Sequence, residues 1–319
     1  MKNSKKTTLS EISQSYGTIF ALVLIVVMFG ILNPRAFLSS VNFWNITRQM
    51  AILAVISLGT TLIMCVEEFD LSVGTIASFS GVLAAILVIN GRTFLISLTA
   101  AVLLSGILGF LNGFIVTRFK VMSFIITLAM SRVIYGFTYW LSGGAIIFNN
   151  IPAFFTIVGT QKLGPVPYLT ILMIIMAIIF YYITNYTAFG RKLYAIGGNE
   201  QASKVAGIRV DFNKTLAFTI AGAMSGLAGV LLASRVGSAA PTAGDAYMLN
   251  AYATIFIGKT LFKGGVPNII GTMVGVAIFT VLANGLTIMQ VPTFIQNILT
   301  GLIIVFAVVG QKLGSKEDV

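Results

Sequence analysis

The 319 residues include 20 Lys and Arg against 9 Asp and Glu, which gives a net charge of +11, and 57% of the residues are hydrophobic. Only 9% are charged, where an ordinary soluble domain has about 25%. This composition excludes a soluble enzyme and predicts an all-α integral membrane protein. The chain has no His and one Cys, Cys65, so we expect neither a Cys/His metal site nor a disulfide framework within it.

Apolar runs separated by charged or Gly- and Pro-marked breaks predict about ten transmembrane helices, each close to the roughly 20 residues that a hydrocarbon core requires. Together they form a single transmembrane domain over residues 1–319. No small-residue cleavage site follows the first run, so we predict that it is a retained helix. The runs lie near residues 16–33, 48–66, 71–90, 93–117, 121–142, 166–186, 213–234, 247–262, 266–288 and 292–312.

The distribution of basic residues predicts the orientation in the membrane. With the N-terminus inside, 14 of the 20 Lys and Arg residues fall on the inner side, five on the outer side, and Arg132 lies within a span. The excess of positive charge on the cytoplasmic side of membrane proteins therefore places both termini in the cytoplasm. Because the basic residues stand singly in separate loops, orientation explains the net charge better than a nucleic-acid partner.

The predicted cytoplasmic loop 187–212 contains a short helix signal, GGNEQASKVAGI at 197–208. Asn199 is a suitable N-cap, and the Glu200 carboxylate suits the positive end of the helix dipole. Gly207 can end the helix in the left-handed conformation. Three small or apolar residues at positions i, i+3 and i+4 form one narrow stripe on this helix: Ala202, Val205 and Ala206.

So short a helix is marginal in water, because helix nucleation is costly, and it needs a surface to lie against. Two surfaces are consistent with the sequence. The helix lies on its own bundle or at the lipid headgroups, or it inserts into the groove of a cytoplasmic partner. The preceding Gly197 and Gly198 are interpreted as hinges or stops.

Three of the nine acidic residues, Glu67, Glu68 and Asp70, stand together where the second predicted span meets the third. One interpretation is an intramembrane functional group, such as a proton relay or a contact for a polar solute. The favoured alternative places the junction at the cytoplasmic edge, with Asp70 as the N-cap of a helix from Leu71 and solvated glutamates. Four polar residues are candidates for a substrate pathway: Glu68, Asp70, Asn112 and Asn284.

The loop sequences FGRKLYAI (189–196) and GGNEQASKVAGI (197–208) resemble the cytoplasmic loop of ABC-type importer permeases for simple sugars, the ribose-type family. The resemblance continues over nearly the whole chain. It includes NPRAFLSSVNFWNITRQMAILAVISLG (33–59), DLSVGTIASFSGVLAA (70–85), SAAPTAGDAYMLNAYATIFIGKTLFKGGVPNIIGTMVGV (238–276) and LANGLTIMQVPTFIQNILTGLIIVFAV (282–308).

The resemblance implies a ten-helix permease in the bacterial inner membrane that works with several partners. These are an ATP-hydrolysing subunit, an extracytoplasmic sugar-binding protein, and a second permease copy or homologue. ATP and Mg would be used by the partner ATPase, and this chain would contain no cofactor, catalytic residue, metal site or nucleic-acid site. The implied coupling helix, which transmits closure of the ATPase, comprises Gly197, Gly198, Asn199, Glu200, Ala202, Val205, Ala206 and Gly207.

This chain departs from the family pattern at one place. The family has a Gly-Gly pair before Ile-Asp-Leu-Ser-Val-Gly, whereas this chain has Glu67-Glu68-Phe69 before Asp70. Glycines would permit a backbone geometry that glutamates resist. The departure leaves open an ion-coupled secondary transporter that uses these acids, and the relatives of the family leave open a nucleoside or branched-chain amino acid permease.

Overall fold

The structure is a computed structural model that describes residues 9–259 and 265–314. Within these ranges the chain is almost wholly helical, with one two-stranded antiparallel hairpin. The elements are α1 (Leu9–Leu32), α2 (Pro34–Phe37), α3 (Ser40–Cys65), α4 (Val73–Ile89), α5 (Phe94–Phe119), α6 (Ser123–Ser142), α7 (Ala153–Thr160), β1 (Lys162–Leu163), β2 (Val166–Pro167), α8 (Tyr168–Tyr186), α9 (Ala188–Gly198), α10 (Glu200–Val205), α11 (Val210–Val236), α12 (Asp245–Lys259), α13 (Ile269–Ile288) and α14 (Thr293–Gly314).

Among the described residues, six helices are long and apolar enough to cross a membrane: α3, α5, α6, α8, α11 and α13. Shorter apolar stretches occur at Thr18–Leu32, Val73–Ile89 and Thr293–Ile303. Each of the ten predicted runs overlaps one long helix. The count of ten spans and the side of the termini stay predictions, and the chain ends at 1–8 and 315–319 lie outside the described residues, as does the end of the eighth run.

The chain forms two compact units, of which the larger is Thr47–Tyr252. At its centre α11 packs against α4 and α5. A Cβ atom on Gly109 of α5 would collide with the Phe218 carbonyl of α11, and one on Gly222 of α11 would collide with the Ser105 carbonyl of α5. The two helix backbones are therefore in direct contact, which is the usual role of spaced small residues in membrane helices.

The segment between α6 and α8 contains α7 and the hairpin. α7 packs against the end of α11 through Ser234, whose hydroxyl donates to the Phe155 carbonyl at 2.6 Å and accepts from the Gly159 amide at 3.0 Å. An apolar cluster that includes Val88, Phe155 and Val230 surrounds this contact. Each polar group here has a partner inside the protein, as a low-dielectric surrounding demands.

The smaller unit comprises Met1–Ile46 and Ala253–Val319. In its described part α13 packs against α1, and Gly285 lies directly beneath the Phe29 ring. A Cβ atom on Gly275 would collide with the Thr254 carbonyl, so α13 also approaches the backbone of α12 closely. Asn284, a predicted pathway residue, donates from Nδ2 to the Asn42 Oδ1 atom at 3.0 Å.

Candidate functional site

The predicted short helix in loop 187–212 is α10, a six-residue helix over Glu200–Val205. Asn199 is its N-cap, and the Asn199 Oδ1 atom accepts a hydrogen bond from the Ala202 amide at 2.8 Å. Glu200 pairs with Lys204 one turn later along the helix. These local contacts explain why a helix of so few residues begins at this position.

The end of α10 is fixed by a left-handed glycine. Gly207 has a φ of +79°, and its amide donates to the Lys204 carbonyl at 3.0 Å. The Ile208 amide donates to the Ser203 carbonyl, also at 3.0 Å. This pair of bonds is a Schellman motif, which satisfies the last carbonyls of the helix. The helix is therefore capped at both ends, although it is too short to be stable by itself in water.

The three residues of the predicted stripe point away from the rest of the chain. Ala202, Val205 and Ala206 are exposed, and Val205 is 91% exposed. Ser203 is the residue of α10 that faces inward, with 5% exposure. The alternative in which the stripe lies on the bundle of the same chain is therefore wrong for the described residues. This exposed stripe is free to meet a partner or the lipid headgroups.

Gly197 and Gly198 do not form a hinge, because both continue the helix α9 up to its last residue. A Cβ atom on Gly197 would collide with the Cys65 carbonyl at the end of α3. A Cβ atom on Gly198 would meet no atom within 4 Å. Gly197 is therefore a position of close approach between α9 and α3, and the interpretation as a hinge is corrected.

One lysine joins the loop to the helical bundle. The Lys214 Nζ atom, in the first turns of α11, lies 2.6 Å from Glu68 Oε1 and 2.7 Å from Glu200 Oε2. The side chains of Lys214 and Glu68 are only 11% and 18% exposed, and that of Glu200 is 38% exposed. We call these three residues the ionic bridge. It connects α10, α11 and the α3–α4 junction through charge-assisted hydrogen bonds.

Glu200 stays ionised in this arrangement at neutral pH. The ammonium groups of Lys204 and Lys214 donate hydrogen bonds to its carboxylate and lower the pKa of Glu200 to about 2. The Glu200 carboxylate therefore keeps its negative charge throughout the physiological pH range. Sequence reasoning missed Lys214, because nothing in a single sequence pairs it with a glutamate 146 positions away.

The α3–α4 junction begins with a strained glutamate. Glu67 has a φ of +57°, and its amide donates to the Met64 carbonyl, while the Glu68 amide donates to the Ile63 carbonyl, both at 3.2 Å. This is again a Schellman closure, with Glu67 at the left-handed position that glycine usually occupies. The departure from the family's Gly-Gly pair thus coincides with a backbone conformation that favours glycine.

We expect Glu67→Gly to stabilise the protein by about 0.5–1 kcal/mol, because relief of the left-handed strain exceeds the added freedom of the unfolded chain. Thermal unfolding of the purified protein in detergent measures this effect. Glu67→Ala is the matched control, since it removes the same exposed charge without the freedom of glycine. An Ala variant as stable as the Gly variant would attribute the gain to charge and contradict the strain argument.

Asp70 is fully buried and does not cap a helix from Leu71, because α4 begins at Val73 with Ser72 as its N-cap. The Asp70 Oδ1 atom accepts hydrogen bonds from the Ser72 amide at 2.8 Å and the Ser72 hydroxyl at 2.6 Å. The predicted N-cap role is therefore wrong. The carboxylate folds back onto its own loop instead, in the local bond pattern typical of Asp in turns.

Side chains from two other helices hold this non-helical segment. Tyr252 of α12 accepts from the Asp70 amide at 2.6 Å and donates to the Asp70 carbonyl at 3.0 Å. Thr127 of α6 accepts from the Leu71 amide at 3.0 Å. Every such bond replaces one that a helix would have made, which allows the chain to leave the helical conformation inside a packed bundle.

The remaining predicted pathway residues are buried as well. The Asn112 Nδ2 atom donates to the Ser72 hydroxyl at 2.8 Å, and Asn112 has no exposed surface. Asp70 and Asn112 thus lie in one cluster, Glu68 lies in the ionic bridge, and Asn284 lies in the other unit. In residues 9–259 and 265–314 no group of three His, Cys, Asp or Glu side chains is arranged to hold a metal ion.

The structure is a bundle of apolar helices with a capped helix in the loop between α8 and α11, and comparison with known proteins identifies its class as a membrane transport permease. The family model described as "Branched-chain amino acid transport system / permease component" matches residues 42–308. The chain belongs to this family of permeases and is a multi-pass protein of the inner membrane.

Within that family the chain stands with the simple-sugar ABC import permeases. The ribose import permease protein RbsC of Bacillus subtilis (strain 168) is 36% identical over 95% of this chain and 94% of that protein. The D-allose transport system permease protein AlsC of Escherichia coli (strain K12) is 36% identical over 94% and 92%. The galactose/methyl galactoside import permease protein MglC of the same strain is 31% identical over 96% of each.

One solved structure shares the fold. It is described as a metal-chelate type ABC transporter in an inward-facing conformation, and it aligns with a TM-score of 0.56 over 93% of this chain and 98% of that one. The two sequences are 15% identical, so the likeness concerns the fold alone. The fold is that of an ABC transporter.

Proposed function

We propose that this chain is the permease subunit of an ABC importer for a simple sugar, a ribose-like monosaccharide, which crosses the membrane by alternating access. The relatives named for ribose, allose and galactose import support this substrate class. A partner ATPase supplies the energy with ATP and Mg, and an extracytoplasmic binding protein delivers the sugar. The chain itself is a non-catalytic gate.

The proposed arrangement is one permease domain over residues 1–319 with ten spans and both termini in the cytoplasm. The excess of Lys and Arg on the inner side supports this orientation. A second permease copy or homologue completes the pathway. In this orientation loop 187–212, with α9 and α10, faces the cytoplasmic ATPase.

The exposed stripe is the observation that carries the coupling role. A doubly capped helix with Val205 91% exposed has the form of a projection that a groove in another protein can receive. The residues to which we assign coupling are those predicted from the sequence: Gly197, Gly198, Asn199, Glu200, Ala202, Val205, Ala206 and Gly207.

The ionic bridge gives this projection a mechanical connection. A displacement of α10 pulls on Lys214 through Glu200, and Lys214 in turn holds Glu68 at the α3–α4 junction. The backbone contact of Gly197 with Cys65 acts on the same junction. Since packed elements move as discrete bodies, movement of the loop is transmitted to the membrane helices.

The pathway role of Glu68, Asp70, Asn112 and Asn284 stays a prediction. Their contacts support a structural contribution in each case. Glu68 has a lysine partner, Asp70 and Asn112 share one hydrogen-bonded cluster, and Asn284 bonds to Asn42. The atoms that are paired in this way are less available to a passing solute. Among the described residues, the Oδ1 atoms of Asn112 and Asn284 are buried without a hydrogen-bond partner.

Reconstitution of the permease in liposomes with its ATPase and binding protein tests the function. Uptake of radiolabelled ribose, allose or galactose should require all three proteins and ATP, while a nucleoside or leucine should not be taken up. Liposomes that contain only this chain should take up no sugar under an imposed proton or sodium gradient. Gradient-driven uptake by the chain alone would instead establish an ion-coupled secondary transporter.

A further inference from the structure

An arginine on α6 is in an unusual place for a membrane helix. Arg132 lies at the middle of the 20-residue span Ser123–Ser142 and is exposed. Among residues 9–259 and 265–314, none forms a hydrogen bond or an ion pair with it. An arginine facing lipid at the centre of a bilayer costs about 2.5–3.5 kcal/mol or more. This face of α6 therefore meets water or polar groups rather than lipid.

The arginine lines an open groove on the surface of α6. The groove is formed by five residues of this one helix: Arg132, Val133, Gly136, Phe137 and Trp140. Residues 132, 136 and 140 stand one above another at i, i+4 and i+8. A Cβ atom on Gly136 would meet nothing within 4 Å, so the middle of the groove is open. A small molecule can therefore reach Arg132 and Trp140 together from the side of the helix.

The lining has the chemistry that recognises a neutral polyhydroxylated ring. Trp140 is 75% exposed and offers a flat aromatic face. The Arg132 guanidinium has five N–H donors in a fixed fork that can engage neighbouring hydroxyl groups. A planar donor fork beside an exposed aromatic face suits a ring that carries several hydroxyl groups.

We propose that this groove is a contact site for the transported monosaccharide within the membrane. Trp140 packs against the C–H face of the sugar ring, and Arg132 donates hydrogen bonds to its hydroxyls. The inference rests on the proposed function and identifies the site at which the sugar contacts the permease. It also explains why an arginine is tolerated at the middle of α6.

Uptake by the complete reconstituted importer is the first test. Arg132→Gln and Trp140→Leu should each lower the sugar uptake rate by roughly 10- to 100-fold, the effect of losing charge-assisted hydrogen bonds or a stacking surface. ATP hydrolysis stimulated by the loaded binding protein should persist. Arg132→Lys should retain an intermediate rate, because it keeps the charge and loses the fork. The matched controls are the exposed Arg92→Gln and Tyr182→Leu, which should transport like the unsubstituted protein.

Thiol labelling tests whether water reaches the groove. A membrane-impermeant thiol reagent should modify Gly136→Cys in intact liposomes, and excess monosaccharide should slow the reaction. Ile178→Cys, 62% exposed on the apolar helix α8, should not react, and the native Cys65 is buried. The unsubstituted protein gives the background rate.

The outcomes separate this inference from the proposed function. If the unsubstituted importer takes up no sugar with ATP, the proposed function itself fails. If it does so and Arg132→Gln and Trp140→Leu transport like the controls, the site is wrong while the function stands. An unreactive Gly136→Cys would make this face a lipid or protein contact. Labelling without any loss of uptake in the variants would make it a wet surface that the sugar does not touch, which also overturns the proposal.

Discussion

Replacing Ala206 with Trp should strongly reduce sugar uptake by the reconstituted importer while leaving the permease folded and inserted. Ala206 is exposed at the end of α10 and belongs to the stripe that we assign to the ATPase groove. An indole there adds bulk where a closely packed groove leaves no room, and overpacking of this kind costs about 1–3 kcal/mol or more. We expect uptake to fall by roughly tenfold or more and ATP hydrolysis to lose its response to the loaded binding protein.

A second substitution in the stripe distinguishes the loss of an apolar contact with the ATPase from the steric effect of an added side chain. Val205→Asp removes an apolar side chain whose full burial in a partner is worth about 1.5–3 kcal/mol, and it adds no volume. It should weaken association with the ATPase, measured by co-purification in detergent. Ala195→Trp is the matched control, because Ala195 is an exposed alanine of the neighbouring helix α9. Normal uptake by both stripe variants would argue against docking through α10.

The short helix could be predicted because its determinants are local. Asn199 and Gly207 are a capping residue and a left-handed glycine that act within a few positions of each other along the chain, and both occupy the predicted positions. The same holds for the long helices, since about 20 consecutive apolar residues suffice to indicate each of them.

The features that the sequence did not reveal depend on contacts between distant positions. Lys214 meets Glu68 across 146 residues, and no periodicity indicates that pairing. Gly197 looked like a hinge because its partner, the Cys65 carbonyl, lies on another helix. The helix α9 was also missed, although its buried residues Gly190, Leu193 and Ile196 recur at helical spacing on one face.

The acidic junction between α3 and α4 contains one feature that the sequence predicted wrongly and one that it predicted correctly. An Asp before an apolar run predicts an N-cap at Asp70 and a helix from Leu71. The helix α4 instead begins at Val73, because Tyr252 and Thr127 hold the preceding backbone in a non-helical form. Local propensity was overridden by tertiary hydrogen bonds. The unfavourable backbone conformation of Glu67 was nevertheless expected, because the family has glycine here and glycine accepts a left-handed backbone that glutamate resists.

Lys214→Met should be the most disruptive single change in the ionic bridge. It leaves Glu68 and Glu200 close together without the cation between them, and the carboxylate of Glu68 is only 18% exposed. A fully buried unpaired charge costs about 3–5 kcal/mol, and the partial exposure here reduces our expectation to about 2 kcal/mol. Denaturant unfolding in detergent measures this loss. Hydrogen exchange should also become faster across α10, whose attachment to the bundle is lost.

A double-mutant cycle isolates the bridge from other effects of the substitution. Glu68→Gln combined with Lys214→Met should be less destabilising than the sum of the single changes, because with Gln at position 68 the loss of the lysine leaves no unpaired carboxylate there. Lys120→Met breaks the exposed pair with Asp211 and should cost less than about 1 kcal/mol. Additive losses in the cycle, or equal effects of Lys120→Met and Lys214→Met, would contradict a bridge between Lys214 and Glu68. If the cycle is non-additive and Lys214→Met also reduces uptake, the same lysine both stabilises the loop and transmits its movement. This is the result we expect if α10 functions only while it is attached to the bundle.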